Sequence, residues 1–443
     1  MIRWGEIEGR LDPKTYHQDR LQVIEILRVS GVNLKPLKFL VSATKETVKS
    51  ITSDEAIYVG LENVESDTGY YIPKTEKDLI SSALVFKKGD ILFPKLRPYL
   101  NKVFYATFDG ICSTEFHVFK STILNNEYLS HFLRSKLVVS QTEKLMSGNT
   151  LPRVQTEDIY NLLIPVISPE KQLQVTALMD KAREDSNHLK SEAEVLITSI
   201  DTYILNELGI TLPERDTSMG ARMFQTTFRQ VSGRRFDPNN VLYRDYLEKC
   251  ISRYNKIKLG DLILGSPQYG ANEEAIKRES DNDIRYIRIT DLDDYGQLKE
   301  NDWKTAQETL DYYLLSKDDI LFARSGSVGR CYLHKPIAQK AIFAGYLIRF
   351  ITNKQRLLPE YLYYFTYTSY YKAWVQSMQR VAAQPNINAE EYKSFQLPLP
   401  PIEKQQEIIM EANRRRLEAR RLSEEANKAL EEARAEIERM ILG

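Results

Sequence analysis

With 443 residues, 42% of them hydrophobic, the chain is long enough for two or three domains with sizeable cores. Lys+Arg and Asp+Glu both number 61, so the net charge is zero and any basic surface for a nucleic acid must be local. Cys112, Cys250 and Cys331 stand alone without CxxC spacing, which argues against a disulfide framework or a zinc site and fits a reducing cytoplasm. The charged start MIRWGEIEGR reads as no secretory signal, and no apolar run reaches the length of a membrane span.

Taken in chain order, the elements occur twice. GRLDP (9–13) returns as GRRFDP (233–238), and KPLKFLV (35–41) as NKIKLGDLI (255–263). IYVGLENVESDTG (57–69) resembles IRYIRITDLDDYG (284–296), and KKGDILFPKLR (87–97) matches SKDDILFARSG (316–326). NEYLSHFLRS (126–135) matches PEYLYYFTYT (359–368), and TLPRVQTEDIYNLLIP (150–165) matches AQPNINAEEYKSFQLP (383–398). From Glu127/Glu360 to Gln172/Gln405 the offset is constant (405 − 172 = 233), so this stretch needs no gap. The ordered matches mark two copies of one unit.

Each unit begins with short strand-like runs (DILFPKL, HVFKS; DILFARS, YLIRFI) broken by Gly, Asp and Asn turns, which predicts a compact α/β or α+β domain. Each ends in one long helix, entered through IPVISPEKQ (164–172) and LPLPPIEKQ (397–405). Pro169 and Pro401 suit a helix start, and Glu170 and Glu403 suit its positive end. Val175, Leu178, Ala182, Leu189, Ala193, Leu196, Ile200 and Tyr203 follow a 3,4 spacing in the first helix, with Asp185 interrupting. Ala412, Ala419, Leu422, Ala426, Leu430, Ala433, Ile437 and Met440 do so in the second. Both stripes are candidates for a coiled-coil seam, and the two units would be related by a pseudo-twofold if the helices pair antiparallel. The segmentation is a first strand-rich domain over 1–165, a helix over 166–209, a linker over 210–221, a second such domain over 222–398 and a final helix over 399–443.

Catalytic motifs are missing. SGSVGR (325–330) lacks the Lys-Ser/Thr of a phosphate loop, no Gly-rich turn suits a dinucleotide or S-adenosylmethionine, and no amino-methyltransferase signature occurs. His17, His117, His131, His188 and His334 are scattered, and the pairs Asp293-Asp294 and Asp318-Asp319 read as turn caps, so neither a catalytic residue nor a metal site is expected. What remains is recognition. The segments after DIL carry Lys95, Arg97, Asn101 and Lys102 in the first unit and Arg324, Ser325, Ser327 and Arg330 in the second, donors suited to phosphates and guanine edges. Asn149, Thr150 and Arg153 in GNTLPR, Gln384 and Asn386 in AAQPNIN, and Arg285, Arg288 and Thr290 at a strand end complete the candidate DNA-contacting set.

The GDIL and DDIL turns, the EYL helices and the paired helix entrances IPVISPEKQ and LPLPPIEKQ together resemble the specificity subunit of type I restriction–modification systems. The resemblance covers almost the whole chain. It implies two target recognition domains that read the halves of a bipartite, asymmetric double-stranded DNA sequence, with the helices as spacer. It further implies a cytoplasmic protein that is not itself an enzyme and docks two methyltransferase subunits, which hold the S-adenosylmethionine, with restriction subunits joining them. The competing readings are a stand-alone DNA-binding or bridging protein, and an enzyme whose motifs have diverged.

Overall fold

The computed structural model describes residues 16–44, 46–52, 56–73, 79–146, 152–214, 218, 220, 225–228, 238–293, 297–299, 302–378 and 385–443. The GRLDP segment, all but the last residue of GRRFDP, and Gly148, Asn149, Thr150 and Gln384 lie outside them. The chain forms two compact units, Met1–Lys190 with Glu424–Gly443, and Ser191–Ser423. Each unit therefore takes in part of both long helices.

In the first unit a four-stranded antiparallel sheet is ordered Val41–Ala43, Phe116–Ser121, Ile91–Pro94, Phe104–Tyr105. In the second unit Gln268–Tyr269, Leu347–Phe350, Ile320–Ala323 and Cys331–Leu333 repeat that order. Ile91–Pro94 and Ile320–Ala323 are buried at every residue, which is why both DIL runs read as unbroken apolar stretches and not as alternating ones. A parallel pair recurs as well, Tyr58–Val59 with Gly110–Cys112 and Arg285–Ile287 with Ala341–Phe343. So does a short ladder beneath the long helix, Leu34–Pro36 with Leu163–Pro165 and Lys256–Lys258 with Gln396–Pro398.

The GDIL and DDIL motifs are one turn. Gly89 (φ 90°) and Asp318 (φ 75°) hold left-handed backbone, and the next aspartate caps the residue three back. Lys87 N donates to Asp90 Oδ2 at 2.8 Å, and Ser316 N to Asp319 Oδ2 at 2.9 Å. Asp293 likewise accepts from Gln297 N at 2.7 Å, so these acids act as turn caps.

The long helices are Pro169–Glu207 and Ile402–Leu442. Within the first unit Val175 and Met179 share a core with Ile437 and Ile441, and Ala182 packs with Leu430 and Ala433. Within the second, Ile200, Ile204 and Leu208 share a core with Ile408, Ile409 and Ala412. As numbers rise on one helix they fall on the other, so the pair is antiparallel. The predicted interruption at Asp185 does not break the helix. Ser186, 1% exposed, continues the seam at the position one step along, and Ile441 rather than Met440 closes it at the far end.

The repeated Glu-Lys-Gln entrance has a specific use for its glutamine. Gln172, 4% exposed, accepts from Asn125 N at 2.8 Å through Oε1 and donates to Ile167 O at 2.8 Å. Gln405, fully buried, accepts from Leu358 N at 2.9 Å and donates to Arg356 O at 2.8 Å and Pro400 O at 2.9 Å. Each glutamine ties its long helix to the segment that opens the EYL helix, Asn126–Leu133 or Pro359–Phe365. The tyrosine of each EYL closes the same junction, Tyr128 OH donating to Pro165 O at 3.0 Å and Tyr361 OH to Pro398 O at 2.7 Å. Each buried group left unpaired costs about 1–3 kcal/mol. Gln405→Ala, which orphans three groups, should lower the unfolding midpoint more than Gln172→Ala, which orphans two; chemical denaturation of the full chain measures both, and equal, negligible losses would refute the role.

Candidate nucleic-acid interface

Two candidate segments that lie far apart in the sequence meet in each unit. In the first, the stretch after Ile91–Pro94 pairs with the segment at Arg153: Leu96 bridges Arg153, Arg97 N donates to Pro152 O at 2.8 Å and Val154 N to Lys95 O at 3.0 Å. In the second, Ser325 bridges Asn386 and Ile387 N donates to Arg324 O at 2.9 Å. A third segment joins them, Lys95 N donating to Glu115 O at 2.8 Å and Arg324 N to Tyr346 O at 2.9 Å. Lys95, Arg153 and Glu115 thus correspond to Arg324, Asn386 and Tyr346 on equivalent backbones.

The side chains at these positions differ. In the first unit Arg153 forks onto Glu115, Nε to Oε2 at 3.1 Å and Nη2 to Oε1 at 2.7 Å, and Lys95 Nζ donates to Thr114 O at 2.5 Å. Burial lowers the Lys95 ammonium below its ordinary range, and Arg153 holds the Glu115 carboxyl below its own. His117 nearby stacks on Phe119 at 5.4 Å and is pushed down to about 4 by burial and then by Lys95, so it is neutral at neutral pH. In the second unit the Arg324 guanidinium stacks over Tyr269 at 5.1 Å and has no hydrogen-bond acceptor among the described residues. Tyr346 is 67% exposed beside it, with Ser327 on the exposed turn. The exposed tyrosines escaped the sequence reading because an aromatic in a strand-rich stretch reads as core.

Other candidates are placed differently. Asn101 is 6% exposed, with Nδ2 donating to Asp67 Oδ1 at 3.0 Å and Arg134 O at 2.8 Å. Lys102 Nζ donates to Leu61 O at 2.8 Å. Arg285 is 5% exposed and donates to Lys299 O, while Arg330 donates to Asp293 O. Arg288 forks onto Asp291, at 3.1 and 2.6 Å. These four basic residues and Asn101 carry internal hydrogen bonds that position the loops. Arg97 and Thr290 are exposed.

The sequence matches the type I restriction modification DNA specificity domain over residues 60–198 and 252–424, one match in each repeat, and the chain belongs to that family. It is 30% identical over 112 residues to the type I restriction enzyme EcoDI specificity subunit of Escherichia coli, covering 25% of each chain. It is 21% identical over 317 residues to the EcoKI specificity subunit of Escherichia coli K12, covering 69% of this chain and 60% of that one. The matches thus span less than two thirds of these relatives' lengths. The crystal structure of the S subunit of a type I restriction–modification system from M. genitalium aligns with a TM-score of 0.44 and 13% identity, over 93% of this chain and 96% of that chain. No helix among the described residues is long and apolar enough to cross a membrane.

Proposed function

We propose that the chain is the DNA-reading subunit of a type I restriction–modification complex, each unit reading one half of a bipartite, asymmetric double-stranded target. One observation carries this reading: equivalent backbone positions present an internally bonded Lys95, Arg153, Glu115 set in one unit and an open Arg324, Asn386, Tyr346 set in the other. One scaffold with two chemistries suits two different half-sites. A mismatched pair costs about 1–3 kcal/mol, so two readers on one chain add their penalties. The chain catalyses nothing alone in this reading. Two cytoplasmic methyltransferase subunits supply the S-adenosylmethionine, and restriction subunits complete the nuclease. Leu173, Val195, Met410 and Leu417, all at least 60% exposed on the long helices outside the seam, support docking of the methyltransferases there.

Reconstitution with a partner methyltransferase, followed by mapping of methylated positions, tests the reading. Methylation at the same sites without this chain would overturn it, and tight sequence-specific DNA binding that never directs methylation would favour a stand-alone binder. Within the second unit, Arg324→Ala should weaken DNA binding by about 1–3 kcal/mol and relax the sequence requirement at one position if the guanidinium reads a guanine. Fluorescence anisotropy with single-base variants of the target measures this, and unchanged affinity removes Arg324 from the interface.

A further inference from the structure

Three arginines of the first unit line one cavity of about 140 Å³, where the Asn126–Leu133 helix and its C-terminal residues meet the two long helices. Arg134 is 7% exposed and donates to Val103 O at 3.1 Å and to His131 Nδ1 at 2.9 Å. Arg183 donates to Thr68 O at 2.7 Å and lies over the Tyr70 ring, and Arg434 donates to Asp67 O at 2.8 Å. Among the described residues, the hydrogen-bond acceptors of all three are neutral. Burial, and then Arg183 and Arg434, push the Arg134 guanidinium well below its ordinary range, while Tyr70 and Glu127 act the other way; Lys136 and the carboxylates of Asp67, Glu431 and Glu438 line the same cavity. Gly69 (φ 70°) lets the backbone approach, since a Cβ there would lie 2.4 Å from Arg134 Nη1 and 2.3 Å from Val103 O.

Three buried polar atoms of cavity-lining residues lack a partner: His131 Nε2, Tyr70 OH and Asn101 Oδ1. His131 and Asn101 are each only 6% exposed. A guanidinium has only donors, so His131 Nδ1 accepts from Arg134 and the neutral imidazole carries its proton on Nε2. Burial and the neighbouring arginines favour that neutral ring. The amide of Asn101 is fixed by its two donated bonds, which leaves Oδ1 as an acceptor. Glu127 and Asp180 have ligand atoms within 4.8 Å of those of His131, but a protonated Nε2 has no lone pair for a metal and the arginines repel one.

The corresponding place in the second unit is built from different side chains. At the 233-residue offset Tyr364 replaces His131, Tyr367 replaces Arg134, Asn413 replaces Asp180 and Asp201 replaces Arg434; only Arg416 matches Arg183. Tyr364 OH donates to Asn413 Oδ1 at 2.5 Å, Tyr363 and Tyr367 hydroxyls meet at 2.7 Å, and Arg416 lies over the Tyr363 ring at 5.1 Å. Asp201 accepts from Ser369 N at 2.9 Å.

We propose that the first-unit cavity binds a phosphate group, free or as a small phosphate monoester. The guanidinium groups, His131 Nε2–H and Tyr70 OH donate to its oxygens. A cavity of this size is comparable to one that holds benzene, roughly 150 Å³, and so admits a single tetrahedral oxyanion. Asn101 Oδ1 adds selectivity: a phosphate, whose second ionisation lies at a pKa of about 6, retains some P–OH near neutral pH, whereas sulfate has no proton to offer.

Calorimetric titration of the full chain at pH 6.5 with sodium phosphate, AMP and sodium sulfate tests the site. Saturable phosphate binding is expected, with sulfate at least about tenfold weaker, because an acceptor placed to take a bond from P–OH rejects a ligand without that donor. AMP binding as tight as phosphate would assign a monoester, and phosphate binding without AMP would assign the free ion. Arg434→Gln should weaken phosphate binding about tenfold or more, while Arg416→Gln in the second unit leaves it unchanged. Tyr70→Phe, which removes one oxygen, gives a second reading should Arg434→Gln fail to fold. Absence of saturable binding by phosphate and AMP, equal affinity for sulfate, or a folded Arg434→Gln or Tyr70→Phe chain that binds as the parent does would overturn the proposal.

Discussion

A four-residue insertion made in both long helices, after Lys190 and after Ser423, is expected to lengthen the recognised DNA spacer by one or two base pairs and leave both half-site sequences unchanged. Both insertions fall where the chain passes from one compact unit to the other. Four residues add about 6 Å of helix at 1.5 Å each, and DNA rises about 3.4 Å per base pair. They also add close to one 3.6-residue turn, so the apolar stripes keep facing each other. Both helices must be lengthened because the antiparallel seam fixes register in each unit separately, Ala182 against Leu430 and Ala433 in one, Ile200 and Ile204 among Ile408, Ile409 and Ala412 in the other. Insertion in one helix alone forces one seam out of register by a turn and should abolish methylation. Genome-wide methylation mapping in cells carrying the partner methyltransferase reads out both variants. An active double-insertion protein with the original spacing would show that the helices are not the ruler.

Tyr392→Ala should cost about 3–5 kcal/mol of stability and remove recognition by the second unit. The ring is fully buried and stacks on Phe322 at 4.7 Å, with Phe350 and Trp374 at 6.0 and 5.6 Å. Removing such a ring leaves a cavity whose cost lies in that range. Its hydroxyl also spans the base of the candidate DNA-contacting turn, donating to Ala323 O at 2.7 Å and accepting from Gly329 N at 3.1 Å. Tyr392→Phe separates the two contributions: packing stays, while Gly329 N and Ala323 O keep the 3.1 Å bond between themselves and lose only the hydroxyl, at a cost of about 0.5–1.5 kcal/mol. Chemical denaturation gives the stabilities, and methylation mapping should show Tyr392→Phe relaxing only the half-site read by the second unit. A Tyr392→Phe protein with unchanged stability and specificity would remove this tie from the recognition machinery.

Much of the architecture was legible because it repeats. The duplicated DIL runs, EYL helices and Glu-Lys-Gln entrances correspond to the same strand, helix and junction in each unit. The apolar stripe of the second helix marked its seam at every position from Ala412 to Ile437, since helical periodicity translates directly into a face. The interior glutamines were visible only as part of a motif. Their hydrogen bonds reach residues 47 positions away (172 − 125 and 405 − 358), beyond any local pattern. Among histidines that read as scattered, the His131–Glu127 pair on one helix was passed over, and Asp180, Arg183 and Arg434 join it only through packing.

The sequence by itself determined the duplication, the strand and helix types and the apolar face of each long helix, because periodicity and turn chemistry are local properties of a chain; the direction in which the two faces meet is set by packing. Which basic residues remain available was decided by tertiary structure. Lys95, Lys102, Arg285, Arg288 and Arg330 look like Arg324 in a sequence. Once folded, each of the first five donates to a carbonyl or carboxylate of its own unit, whereas Arg324 has an aromatic face beneath it and no acceptor among the described residues. A buried or half-buried donor takes whatever acceptor lies within about 3 Å, since leaving it unpaired costs more than the bond returns in water. That distance is set by which strands and loops the fold brings side by side.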